Sequence, residues 1–192
     1  CKFVIISGIT FEMEYICVYG ASKNEIPQEY KDCAYELGRL IAKSGRGVVN
    51  GGGKAGIMRA TTDGAMNAGG EAVGVIPRFM IDNGWQYDSM TRLVVTGDMH
   101  ERKQTMAQMS CAAVAMPGGI GTLEEFLEII TWRQLGLFDK PVVLMDINGY
   151  YTDLVNMLRK CGEQGFMREF DGDLWSVATN AQEAMAIIEK AR

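Results

Sequence analysis

Apolar positions along the chain fall into two alternating periods. Near-continuous apolar runs occur at 15–19, 48–50, 72–76, 93–95, 112–116 and 142–145, with glycine, proline or polar residues beside them. Such runs read as strands buried on both faces. Between them, apolar residues spaced by three and four predict helices at 30–42, 55–68, 98–109 and 123–137, and at roughly 150–161 and 181–191. In the first of these the stripe is Cys33, Ala34, Leu37, Leu40 and Ile41, and it stops at Gly45. Strands alternating with helices predict an α/β fold whose central parallel sheet is covered on both faces. Ligands bind beyond the carboxyl ends of the strands in such sheets. Glycine-rich segments at 20–22, 51–53 and 117–121 each follow a predicted strand, so one crevice can collect all three.

The segment Pro117-Gly-Gly-Ile-Gly-Thr-Leu-Glu-Glu125 has the order strand, glycine turn, helix start. Glycines allow close backbone approach, and the first amides of a helix lack intrahelical partners, so this order makes an anion site. Thr122 is expected as N-cap with Glu125 three residues on, which puts a carboxylate at the rim of a phosphate-sized turn. A plain capping box explains Thr122 and Glu125 equally well, but it does not need three glycines and a proline ahead of it.

Gly51-Gly-Gly-Lys-Ala-Gly56 matches G-x-G-x-x-G, and Glu71 lies about twenty residues on, as a dinucleotide fingerprint asks. An NAD(P)-dependent oxidoreductase is therefore one alternative. The motif follows the second strand of the sheet, however, whereas the fingerprint belongs to the first, and close helix–strand packing explains Gly56 as well. A second capping box, Asp98-Met-His-Glu101, opens the helix that carries Arg102 and Lys103. Its apolar face runs Met99, Met106 and Met109, and Arg102 falls on that inward face. An inward arginine needs an anionic partner or a ligand, because a lone buried charge is costly. An internal ion pair or a snorkelling stem would also satisfy it, and Lys103 reads equally as solvated surface.

Composition narrows the partners. The 192 residues carry 19 Lys and Arg against 24 Asp and Glu, a net charge of −5, with no basic stripe, which argues against nucleic acid. Five scattered cysteines without C-x-x-C spacing read as reduced thiols of a cytoplasmic protein. A single histidine, His100, excludes a His-cluster metal site. A Ser-His-Asp triad would have to run through it, and it reads as well as a polar residue of a helix's first turn. No stretch approaches the ~20 apolar residues of a membrane span, and the apolar run at 3–9 meets Glu12 and Glu14 too soon for a signal peptide. Residues 1–14 are read as an N-terminal extension and 15–192 as one nucleotide-binding domain.

The paired motifs Met99-His-Glu-Arg-Lys103 and Pro117-Gly-Gly-Ile-Gly-Thr-Leu-Glu-Glu125 resemble the Lonely Guy family of nucleoside 5′-monophosphate phosphoribohydrolases, formerly labelled possible lysine decarboxylases. Gly51-Gly-Gly53, Gly74-Val-Ile-Pro77 and Ile130-Thr-Trp-Arg-Gln-Leu-Gly136 extend the resemblance, which covers about residues 15–190. It implies a Rossmann-like three-layer sandwich, a homodimer with the site near its interface, and no metal or organic cofactor. It also implies cleavage of the N-glycosidic bond of N6-substituted AMP to free base (a cytokinin) and ribose 5-phosphate. Arg102 and Glu125 match the family's catalytic pair. Ser22, Gly52, Gly53, Lys103, Gly118, Gly119, Ile120, Gly121, Thr122, Glu124 and Thr131 match substrate-site positions. The 13 methionines, several on helix faces, are in keeping with a dimer. Two places depart from the family pattern. The loop after Pro77, Arg78-Phe-Met-Ile-Asp-Asn-Gly-Trp85, lacks the glutamate that contacts substrate in plant members, and Arg59 stands where a small residue is expected. A non-catalytic nucleotide carrier or sensor on the same fold would keep the glycines without needing Arg102 and Glu125 together. A decarboxylase would need pyridoxal phosphate on Lys54, Lys103 or Lys140, none of which the sequence marks.

Overall fold

A computed structural model of the chain describes residues 13–167 and 174–191, together with the backbone of 4–6 and 9–11. Of the extension read at 1–14, positions 1–3, 7, 8 and 12 lie outside the described residues. Val4–Ile6 (β1) and Ile9–Phe11 (β2) pair as an antiparallel ribbon separate from the main sheet.

The main sheet contains Tyr15–Tyr19 (β3), Gly47–Asn50 (β4), Ala72–Pro77 (β5), Arg92–Thr96 (β6), Ser110–Ala115 (β7), Val142–Met145 (β8) and Ser176–Ala178 (β9). Every neighbouring pair is parallel, in the order β6-β5-β4-β3-β7-β8-β9. The crossovers are Gln28–Lys43 (α1), Gly56–Asn67 (α2), the short Arg78–Asp82 (α3), Met99–Met109 (α4), Ile120–Gln134 (α5) and Thr152–Glu163 (α6), and Ala181–Lys190 (α7) closes the chain. Side chains leave the strands on alternate faces. Ile16, Val18, Val48, Ala112 and Val114 therefore join one core with Leu37 and Ile41 of α1 and Ala184 and Ile188 of α7. Tyr15, Cys17, Val49 and Ala113 join the other with Met106 of α4, Phe126 and Ile129 of α5 and Val155 of α6. The result is the three-layer α/β sandwich expected from the sequence.

Three expectations change. Helix α5 starts at Ile120 with Gly119 as N-cap and no side-chain cap, so the Thr122–Glu125 capping box does not form. Thr122 is already its third residue and packs against Gly118, where a Cβ would come within 2.1 Å of Thr122 Oγ1. Both α3 and β9 are additional elements, too short to show a period. At the other candidate box, Asp98 caps α4 by accepting from the Glu101 amide at 2.8 Å, while the Glu101 carboxylate accepts from the amide of Gly97, one residue before the cap, at 2.6 Å.

Candidate active site

The chain order reverses between β3 and β7, which is where an open parallel sheet offers a crevice. The segments leaving these two strands meet there, the Ala21 amide donating to the Pro117 carbonyl at 3.2 Å. Beyond them lies a cavity of about 820 Å³ walled by segments that follow β3, β4, β5, β7 and β8.

Gly118, Gly119, Gly121 and Thr122 form one wall. With glycine as the cap, the amides of the first turn of α5 have no intrahelical acceptor, and the positive end of the helix dipole lies at the cavity. The turn is braced from β8, a support that the sequence motifs left unmarked. Tyr150 donates to the Gly118 carbonyl and Tyr151 to the Met116 carbonyl, each at 2.9 Å. Their position just past a strand on the same sheet edge was the available signal. Ser22 lies on the wall that follows β3.

Arg102 sits where the helical spacing put it, on the buried face of α4, 7% exposed. Its Nε donates to the Val75 carbonyl at 3.0 Å and its Nη2 to the Gly51 carbonyl at 3.4 Å, so the ends of β4 and β5 orient the guanidinium. A Cβ on Gly51 would stand 1.8 Å from Nη2, which gives the glycine run one concrete reason. Glu125 faces Arg102 across 4.0 Å, with its side chain 12% exposed. Burial pushes the Glu125 carboxyl up to about 7; Arg102 works against that rise and Glu124 adds to it. A carboxyl near half ionisation at neutral pH, in a cavity beside an oriented cation, can act as acid, base or electrostatic partner.

Gly53 lies on the cavity wall. Gly52 is buried behind it at φ 70°, backed against Gly74. The structure does not bring Lys103, Ile120, Glu124 or Thr131 into this cavity. Lys103 turns the other way and forms ion pairs with Glu124 and with Glu128, the latter at 3.1 Å. Burial alone would lower its ammonium, but the two carboxylates override this and raise it. Ile120, Glu124 and Thr131 line a shallow depression on the outer face of α5 with Leu127 and Trp132, and Ile120 is 87% exposed.

The rival chemistries find no support in the residues. Glu71, the acid of the dinucleotide pattern, precedes β5 at the opposite edge of the sheet and accepts from the Tyr15 hydroxyl at 3.1 Å. An imine-forming lysine needs a depressed pKa, whereas Lys103 is held charged. Lys140 donates to the Ser110 carbonyl at 2.6 Å, and Lys54 donates at the rim to the Gly84 carbonyl at 2.5 Å. His100 is exposed in the first turn of α4, and among the described residues no three metal-ligating side chains gather.

Residues 58–188 match the family described as possible lysine decarboxylase. A cytokinin riboside 5′-monophosphate phosphoribohydrolase of Arabidopsis thaliana is 37% identical over 181 residues, 94% of this chain and 85% of that protein. A probable enzyme of the same name from Oryza sativa subsp. japonica is 36% identical, over 91% of this chain and 72% of its own length. Among solved structures, the molybdenum cofactor carrier protein of Chlamydomonas reinhardtii superposes with a TM-score of 0.73 at 27% identity, covering 94% of this chain and 98% of the carrier.

Proposed function

This chain belongs to the Lonely Guy family, the group described as possible lysine decarboxylases, and from that premise we propose that it hydrolyses the N-glycosidic bond of AMP-type nucleoside 5′-monophosphates. N6-substituted AMP is included, giving a cytokinin base and ribose 5-phosphate. The observation that carries this reading is the Arg102–Glu125 pair, buried and 4.0 Å apart beside an amide-lined helix start. Breaking a ribosyl C–N bond builds positive charge on the sugar and negative charge on the departing base. Ionised Glu125 stabilises the cation and takes a proton from the attacking water, whose oxygen bonds to C1′. The C–N electron pair leaves with the base, where Arg102 offsets the charge until the base is protonated. The phosphate, held by the turn, fixes the sugar between them.

Incubation with a panel of nucleoside monophosphates, followed by assay for ribose 5-phosphate, tests the reaction. Monophosphates should react far better than the matching nucleosides, which lack the anchor; equal turnover of adenosine and AMP would sink the phosphate-anchored site. Likeness to the molybdenum cofactor carrier favours a second reading, a non-catalytic nucleotide carrier. In that case nucleotide binds the wild type and no ribose 5-phosphate appears.

The same proposal includes an isologous homodimer. The outer face of α5 supports it, since Ile120 and Leu127 are exposed beside the Lys103–Glu124 pair, in a patch suited to a second copy. Sedimentation as a monomer at micromolar concentration would overturn it. Among the described residues no helix is long and apolar enough to cross a membrane.

A further inference from the structure

The two departures from the family pattern, at position 59 and in the loop 78–90, meet in space. Arg59 of α2 pairs with Asp63 at 3.3 Å, and its guanidinium carbon lies 5.3 Å from the centre of the Tyr87 ring. The Tyr87 hydroxyl donates to Asp63 at 2.7 Å, closing a latch of three side chains between the loop and α2. Backbone bonds hold the same loop to the glycine turn. The Tyr87 amide donates to the Gly52 carbonyl at 2.8 Å and the Lys54 amide to the Trp85 carbonyl at 3.2 Å, flanking an antiparallel bridge between Gly53 and Gln86. Residues 84–87 thus lie against the glycine turn like a short added strand. Trp85 is carried to the cavity wall, where it is 50% exposed.

The cavity has two sides. The phosphate turn follows β7 and Tyr150 follows β8, on one side of the switch point. Met58, Ile76, Met80 and Trp85 come from α2, β5 and the loop after β5, on the other side, with Lys54 at the rim beside Trp85. Arg102 and Glu125 stand between. A nucleotide with its phosphate on the turn and C1′ at the charged pair lays its base among the apolar side chains. The loop's own carboxylates, Asp82 and Asp88, are not part of that wall.

We infer that the loop 78–90, latched by Arg59, Asp63 and Tyr87, is the specificity element of this site. Trp85 and Met80 read the exocyclic substituent of the base by apolar and aromatic contact rather than by hydrogen bonding. Selection among exocyclic substituents therefore runs through Trp85 and the latch that holds it. Trp85 is a binding residue in this scheme, and Arg59, Asp63 and Tyr87 are positioning residues. The inference rests on the hydrolase reading, and its test separates the two.

The quantity to measure is the ratio of kcat/KM for N6-benzyl-AMP to that for AMP. Wild type should favour the benzyl compound by about tenfold or more, the scale of an apolar pocket contact. Trp85→Ala should bring the ratio to within about twofold of one, while Trp85→Phe keeps most of it. Arg59→Ala and Tyr87→Phe should lower the ratio through KM for N6-benzyl-AMP, leaving kcat for AMP in place, and Arg59→Lys should restore it. A wild-type ratio near one, or an unchanged ratio in Trp85→Ala, overturns the inference. If no nucleotide is cleaved at all, the hydrolase reading fails. The same ratio measured as equilibrium affinities by calorimetry then decides the inference on the same criteria.

Discussion

Two ion pairs join the same two helices, and they differ in nearly every respect. Arg102 and Lys103 are consecutive on α4, as are Glu124 and Glu125 on α5, yet the pairs point to opposite sides. On the outer side Lys103 touches Glu124 and Glu128, and its ammonium is held charged. On the cavity side Arg102 is bonded to two backbone carbonyls and meets Glu125 only at 4.0 Å. The Glu125 carboxyl, raised to about 7, is left short of full ionisation at neutral pH. The outer pair satisfies its charges within the protein. The inner pair leaves charge available to a ligand, and a packed fold tolerates such an arrangement chiefly where function uses it.

The sharpest way to break this comparison is to remove each inner charge. Glu125→Gln and Arg102→Ala should each lower kcat about 10²-fold or more, with the fold intact. Near-normal release of ribose 5-phosphate by Glu125→Gln would end the mechanism. Since α5 is capped by Gly119, loss of activity in this variant cannot be traced to a broken capping box. Because the ionised carboxylate is the active form, wild-type kcat should rise with pH through about 7 and then level off. A flat profile between pH 6 and pH 8 would contradict that assignment.

Stability should move the opposite way to activity. A carboxyl at about 7 in the folded chain and near its ordinary 4.5 when unfolded holds its proton longer when folded. Stability is therefore lost as pH rises from 4.5 through 7 and is flat above. Glutamine does not titrate, so Glu125→Gln should gain on wild type by about 2 kcal/mol between pH 5 and pH 8. Urea melts at the two pH values measure this, and an unchanged difference would mean that Glu125 is not buried at cost.

Much of this was legible in the sequence. Buried strands announce themselves as apolar runs, and helix spacing alone put Arg102 inside, because burial on both sheet faces leaves few exceptions to the pattern. Local chemistry misled at Thr122. A Thr-x-x-Glu sequence caps helices in general, but here Gly119 opened α5 three residues earlier, and Thr122 packed under the turn. Side-chain direction was less legible than residue position. Neighbours such as Arg102 and Lys103 differ by about 100° around a helix, enough to face a cavity or its far side. Arg59 had no explanation in sequence, because its partner Tyr87 is distant in the chain and sits in a loop without periodicity.

The smallest expected effect bears on the outer pair. If Lys103 and Glu124 are structural, Lys103→Ala should destabilise the chain by about 1 to 2 kcal/mol, since the ammonium is buried and its removal leaves Glu124 and Glu128 without their shared partner. Glu124→Ala should cost less, because that carboxylate is half exposed and Glu128 still holds the lysine. The double variant should fall short of the sum by a few tenths of a kcal/mol, the coupling expected of a pair with one exposed member. Turnover per folded molecule should stay within about threefold of wild type in all three, against the 10²-fold loss on the inner side. If the homodimer covers this face, the coupling should grow with protein concentration as the pair loses water. A loss of kcat in Lys103→Ala as large as that in Arg102→Ala would show that the two sides of α4 work as one site, and the contrast drawn between them would fall.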